Sequence, residues 1–571
     1  MPSNYRPGFS SLLLMLLLGG CQTTAHMTPP ASYDLIVRHG TIYDGSGLPG
    51  RSADVAVRGD RIVAIGDLHA AKAAREIDAS GLAVAPGFIN MLSWAVDTLI
   101  ADGRSLSDLK QGVTLEVFGE GMSYGPLTDA IKTDMKKQQG DIKYDITWNT
   151  LGEYLEFLQH KGVSTNVASF VGATTVRENV LGDANRAPSA DELRRMQSLV
   201  REAMQQGALG VGSALIYAPG TYAATAELTA LATAAAESGG GYISHMRSEG
   251  DRLLEGIDEL IGIARASGGH TEAYHLKAAG RENWSKMPQA IARIAAARAQ
   301  GVSVSANMYA YTAGGTGLNA CMDTALQEGG LDAWIERLKQ PQIRARVVAE
   351  MRRPGNGWEN ICYATGGPDR ILLNGFNSEK LKPLTGKTLA QIAAMRGTSA
   401  EDVAVDLIIE DHSRIDTIFF IMSEENVKLG LSQSWVSLGS DEGSYAPEGV
   451  LAKLQPHPRA YGNVARFLGR YVRDEKVAVL PDAIRRLAAL PAENFKLKDR
   501  GRLAPGYFAD IVVFDPAAIA DHATYEQPQQ FATGVRDVLV NGVQVLRDGE
   551  HTGATPGRVV RGPGYRAPDT H

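Results

Sequence analysis

Two histidines close two short β-type runs of this chain, Gly-Tyr-Ile-Ser-His245 and Thr-Glu-Ala-Tyr-His275. Neutral imidazoles at neighbouring strand ends can share one divalent ion, and zinc is the usual guest. A lone strand-end histidine is more often a hydrogen-bonded structural residue, but a pair in equivalent positions shifts the reading toward a metal site. Between them Leu253, Leu254, Ile257, Leu260, Ile261 and Ala264 recur at helical spacing from Asp251, and Gly268-Gly269 ends the run. A strand–helix–strand unit of this kind crosses over right-handedly between parallel strands. Both histidines then lie at the C-terminal ends of parallel strands, where α/β folds place their chemistry.

The elements around this unit repeat it. From Gly81 onward eight candidate strands can be read: Leu82–Met91, Val113–Gly119, Ser164–Val171, Leu209–Tyr217, Tyr242–His245, Glu272–His275, Val302–Tyr309 and Trp435–Asp441. Helical runs such as Ala190–Gln206, Ala224–Glu237 and Trp284–Ala299 lie between several of them. The expected fold is α/β, a (β/α)8 barrel of the TIM type over residues 86–490. The stretch 318–431 is too long for a loop and carries helical segments, so it is expected as an insertion capping the barrel mouth. Residues 32–85 read as short strands and turns, and β character returns in 491–560 with a hairpin at Asn541-Gly542. Together they are expected to form a small β-sandwich domain beside the barrel. The Gly-, Pro- and Arg-rich residues 561–571 are expected as a surface tail.

A length of 571 residues suits a barrel with an appended domain, and a charge of −7 without a basic run argues against nucleic acid as a partner. The apolar stretch Leu12–Leu18 is too short to span a bilayer and reads as the core of a signal peptide over residues 1–20. Leu18-Gly19-Gly20-Cys21 resembles a bacterial lipobox, which implies lipid attachment at Cys21, a tether over 21–31 and a membrane-anchored, exported protein. The default address is the periplasmic face of the outer membrane. An ordinary secretory signal is the competing reading. Cys321 and Cys362 fit no zinc-ligand spacing; in an exported chain they can form one disulfide, and the pairing stays open.

Several blocks together resemble the amidohydrolase superfamily and, within it, the D-aminoacylase group. They are Ala85-Pro86-Gly87-Phe88-Ile89, Leu215-Ile216-Tyr217-Ala218-Pro219-Gly220, His245-Met246-Arg247-Ser248-Glu249-Gly250, His275-Leu276-Lys277-Ala278-Ala279-Gly280, Gly439-Ser440-Asp441 and His457-Pro458-Arg459. The resemblance implies that His245 and His275 ligate metal. It implies that Asp441 takes the proton of the attacking water and passes it to the leaving amine. Lys277, Tyr309, Tyr217 and Arg459 stand where the family holds a substrate carboxylate, a role that suits an ammonium and a guanidinium fork. A salt bridge is the competing reading for Lys277 and Arg459.

The chain also departs from the family. Asn90-Met91-Leu92-Ser93-Trp94 replaces the first-strand His-x-His pair, and neither Leu92 nor Trp94 can ligate a metal. Gly119-Glu120-Gly121 replaces a turn bearing a metal-binding cysteine, Ala173 replaces a histidine, and Asn307 stands where an aspartate is common. One ion, zinc by the donor types, survives if Glu120 joins His245 and His275; the other reading makes Glu120 a turn carboxylate. The implied activity is metal-dependent hydrolysis of linear amide C–N bonds, foremost deacylation of an N-acyl-D-amino acid, a small substrate bearing a carboxylate. A dipeptidase, cyclic amidase or esterase, or an inactive ligand-binding lipoprotein, are the alternatives. Oligomeric state is not legible.

Overall fold

The structure, a computed structural model, describes residues 33–567. The signal, Cys21 and the tether lie outside these residues. Parallel strands β1 (Phe88–Asn90), β2 (Val113–Phe118), β3 (Asn166–Ser169), β4 (Gly210–Ala214), β5 (Gly241–His245), β6 (Thr271–Ala273), β7 (Val304–Met308) and β8 (Val436–Leu438) pair in that order, β3 continuing past Phe170 as Val171–Gly172. The ring closes where Met91 N–H donates to Leu438 O at 3.1 Å. This is the expected (β/α)8 barrel. Ile89, Leu115, Val117, Ala168, Leu209, Ile243 and Tyr274 form one apolar cluster drawn from six of its strands and the turns beside them.

The helices form where periodicity and caps agree. Helix α1 (Ala190–Gln206) buries Met196, Val200, Ala203 and Met204. Ser189 and Glu192 make a reciprocal capping box at its start, an arrangement that contributes about 1 kcal/mol. Helices α2 (Thr225–Ala236), α3 (Leu253–Ser267) and α4 (Met287–Ala299) follow β4, β5 and β6. Helix α4 starts later than Trp284 because Arg281–Lys286 turns as a 3₁₀ segment and Pro288 then occupies the first helical turn, where its missing N–H costs nothing.

Strand boundaries shifted in an informative way. The run expected as one strand over Leu82–Met91 divides at Gly87. Ala83–Pro86 pairs with Ile511–Phe514 outside the barrel, while β1 pairs with β2. A side chain at Gly87 would strike Thr114, so the crossing between the two sheets needs glycine. The N- and C-terminal β segments thereby join through one hydrogen-bonded ladder into a single nine-stranded sheet. Its core draws Val37, Val55 and Ile77 from one segment and Ile511, Val513 and Leu539 from the other.

The stretch between β7 and β8 is helical as expected, but it also carries a small antiparallel sheet of Gly314–Gly317, Asp416–Phe419, Ile371–Gly375 and Lys387–Thr388. Within the same stretch Cys321 and Cys362 are joined as a disulfide. The segment expected as a surface tail does lie at the surface, with Pro563, Tyr565, Arg566 and Ala567 exposed, but it is tied down. Val560 N–H donates to Val167 O at 2.8 Å, Gly562 N–H to Gly207 O at 2.9 Å and Arg566 N–H to Gln205 O at 3.0 Å. Backbone pairing holds this segment against β3 and the end of α1 despite its loop-like composition.

Candidate metal centre

Glu120, His245 and His275 meet at the C-terminal mouth of the barrel, with a ligand atom from each within 4.8 Å of the others. Glu120 Oε1 lies 3.1 Å from His245 Nδ1 and 2.7 Å from His275 Nε2. Glu120 reaches this point because it sits between two glycines of positive φ, Gly119 (107°) and Gly121 (68°). Added side chains there would strike Phe170 O and Ala214 respectively. Only a residue pair without Cβ atoms lets the β2 exit turn fold this tightly.

His275 lies two residues past the end of β6 with φ 32°, and Asp441 follows β8 with φ 55°. Left-handed backbone at non-glycine residues costs of order 1 kcal/mol and needs outside support. His275 N–H donates to Asn307 Oδ1 at 2.8 Å, and Asp441 N–H to Leu92 O at 2.8 Å. Asn307, the departure from the commoner aspartate, thus holds the histidine backbone, and its own amide is fixed on Glu272 at 2.8 Å.

A second carboxylate, Glu249, stands behind the imidazoles. Its Oε1 lies 3.0 Å from His275 Nδ1 and accepts from Lys277 Nζ at 2.5 Å, and its Oε2 lies 3.6 Å from His245 Nε2. Glu249 lies within the His245 block, where residue type alone assigns it no role. Its signal was position alone, four residues past a strand-end histidine. Lys277, expected at the substrate carboxylate, belongs to this cluster and also contacts His275 Nδ1 at 2.8 Å. Arg459 pairs with Asp441 Oδ2 at 2.9 Å and donates to its carbonyl at 2.7 Å. The guanidinium lies 4.4 Å from the Tyr309 ring centroid, while Tyr217 meets His245 edge-on at 5.3 Å. Ala173 begins a buried helical turn and offers no ligand. Trp94 Nε1 donates to Glu120 Oε2 at 3.0 Å and Asp441 Oδ1 at 3.2 Å.

Burial works to raise the Glu120 carboxyl, but His275 and then His245 hold it well below the usual carboxylate range. Glu249 behaves alike: burial opposes, and Lys277 with both imidazoles prevails. His275 is pushed up to about 9, since Glu249, Glu120 and Asp441 outweigh burial and the Lys277 cation. Asp441 is also raised: burial lifts it, with Arg459 opposing and Glu120 adding. Two imidazoles turned on one carboxylate oxygen, all nearly water-free, require a cation or a proton among them. Two histidines and a carboxylate form an accepted zinc-type donor set, and a carboxylate behind the imidazoles fixes their orientation, so the residues fit a divalent metal.

The model of the amidohydrolase family matches residues 131–546. A D-aminoacylase of Alcaligenes xylosoxydans xylosoxydans is 34% identical over 536 residues, covering 92% of this chain and 97% of that protein. The chain belongs to the amidohydrolase family. Within it the enzyme falls in the D-aminoacylase group. A D-aminoacylase structure described by one-metal activation and second-metal attenuation superposes with a TM-score of 0.77 at 33% identity, covering 93% of this chain and all of that one. The N-acyl-D-glutamate deacylase of Bordetella bronchiseptica, complexed with zinc and a phosphonate inhibitor, gives 0.77 at 31% with the same coverage. The enzyme is therefore a metal-dependent hydrolase of carbon–nitrogen bonds other than peptide bonds.

A cavity of about 780 Å³ adjoins the centre without including its ligands. Leu215, whose N–H donates to His245 O at 3.1 Å, lines it with Ile216, Ser248 and the insertion residues Trp358 and Glu359.

Proposed function

We propose that the enzyme deacylates N-acyl-D-amino acids with one zinc ion held by Glu120, His245 and His275. The observation that carries this reading is the convergence of those three side chains beside an Asp441 carboxylate held by Arg459 and Trp94. The relatives that support it are D-aminoacylase and N-acyl-D-glutamate deacylase, the latter described with zinc. When bound, the ion supplies Lewis-acid charge that acidifies a water and polarises the scissile carbonyl. Asp441 accepts the water's proton and returns it to the leaving amine. Its elevated proton affinity suits both halves of that exchange.

Arg459 anchors the substrate's α-carboxylate while it orients Asp441. Its Nε and Nη1 atoms are buried without a partner, and unpaired charged donors away from water await an anion. Tyr309 offers an equally unpartnered hydroxyl beside it, and Tyr217 walls the imidazole side. Lys277 contributes positive charge through the Glu249 cluster.

The test is zinc content of the purified protein beside a His245→Ala/His275→Ala variant, with hydrolysis of N-acetyl-D- and N-acetyl-L-methionine. The reading expects about one zinc per chain in the parent, none in the variant, and turnover of the D form. A zinc-free parent that gains no activity with added metal refutes it. We further propose that the lipobox at Cys21 anchors an exported enzyme to a membrane. No helix of the described residues is long and apolar enough to cross one. Loss of fatty-acid labelling in Cys21→Ala is the expected result, and an unlabelled parent overturns it.

A further inference from the structure

Trp94 is held from three sides. Its backbone N–H donates to Glu442 O at 2.9 Å, the preceding Ser93 N–H donates to Val117 O at 2.8 Å, and its ring packs against the cluster containing Leu92 and Phe170. From that position one indole hydrogen faces two carboxylates, Glu120 Oε2 at 3.0 Å and Asp441 Oδ1 at 3.2 Å. An indole N–H is a donor only and carries no charge. Two buried carboxylate oxygens aimed at one point are the ordinary setting for a cation. Here a neutral donor fills that point, and Leu92, two residues earlier, offers no ligand atom either.

We propose that Trp94 is a positioning residue: its N–H bridges Glu120 and Asp441 in the place a second cation would claim, so the centre accepts a single ion. The inference rests on the one-zinc reading above. The charges agree with it. Glu120, Glu249 and Asp441 outnumber Lys277 and Arg459 by one. One divalent ion turns that deficit into a single positive charge, the match for one substrate carboxylate. A second ion would leave a strongly positive, water-poor site with no anion to balance it. The bridge also fixes the Asp441 carboxylate from the side opposite Arg459. Without the indole, Asp441 keeps only the Arg459 hold on Oδ2 and Oδ1 loses its donor, and small misplacements of that kind cost up to about a hundredfold in rate.

The experiment compares the parent with Trp94→Phe and with Leu92→His/Trp94→His. Each is equilibrated with excess zinc and freed of unbound metal. Zinc per chain is then measured by mass spectrometry, alongside thermal melting and steady-state kinetics. The expected result is one zinc in the parent and in Trp94→Phe. The Phe variant should show kcat lowered about ten- to a hundredfold with KM within about twofold. The double variant should bind two. The proposal is overturned if the parent itself takes two ions, if Trp94→Phe keeps the parent's kcat, or if a folded double variant stops at one. Should the double variant not fold, the parent and Phe arms decide. A parent without zinc refutes the metal reading instead, and so separates the two failures.

Discussion

Glu249→Gln tests whether the centre is organised from behind as well as in front. The carboxylate sits 3.0 Å from His275 Nδ1, 3.6 Å from His245 Nε2 and 2.5 Å from Lys277 Nζ, all with side chains about 95% or more buried. Glutamine keeps the shape and one acceptor oxygen but removes the charge. Carboxylates that orient metal-ligating histidines are worth about 10- to 100-fold in metal affinity, or roughly 1.4–2.7 kcal/mol. The same change strands the Lys277 ammonium, and breaking a buried pair costs about 3–5 kcal/mol, less here because the amide oxygen still accepts its hydrogen bond. Zinc affinity by chelator competition and metal-free stability by urea unfolding separate the two effects. Glu249→Gln should lose both. Glu249→Gln/Lys277→Met should recover much of the stability, since no charge is stranded, while zinc affinity stays low. If Glu249→Gln binds zinc as tightly as the parent, the imidazoles are set by their own strands and the reasoning fails.

Glu359 of the insertion accepts from Glu249 N–H at 3.0 Å and Ser248 Oγ at 3.0 Å, and burial with the Glu249 charge pushes it to about 7 from an ordinary 4.5. Between those values the unfolded chain has lost this proton and the folded chain keeps it, so the fold loses stability as pH rises through that window. Glu359→Gln mimics the protonated form and should gain up to about 3 kcal/mol over the parent between pH 5 and pH 8, read by urea unfolding; equal differences at both pH values would count against it. The Cys321–Cys362 bond spans 41 residues, and closing a loop of that size constrains the unfolded insertion by up to about 4 kcal/mol. Cys362→Ser should therefore expose the 318–431 stretch to protease about a hundredfold faster than the parent under non-reducing conditions. Unchanged cleavage would show that packing alone holds the insertion.

Much of the fold was legible because the barrel is written in local patterns. The α3 periodicity, the helical run Ala190–Gln206 and the β-type runs before His245 and His275 each act over a few residues, and each gave its element nearly in place. Where a boundary moved, a contact distant in sequence moved it. Ala83–Pro86 left the barrel because Ile511–Phe514 was available to pair with it, and residues 560–566 are held by β3 and the end of α1. The small sheet of the insertion joins strands too short to announce themselves.

The centre divides the same way. Residue type and strand-end position single out His245 and His275, because chemistry limits which side chains hold a metal, whereas Glu120 and Asp441 enter only through the family resemblance. Sequence could not choose between ligand and turn carboxylate for Glu120, nor assign Glu249. It could not foresee that Lys277 turns toward the imidazoles or that Arg459 and Trp94 grip Asp441 from two sides. Those outcomes are set by distances of 3 Å between residues up to 347 positions apart. Closing the barrel brings such residues together, and electrostatics in its water-poor mouth decides their partners, so the answer exists only once the ring is shut.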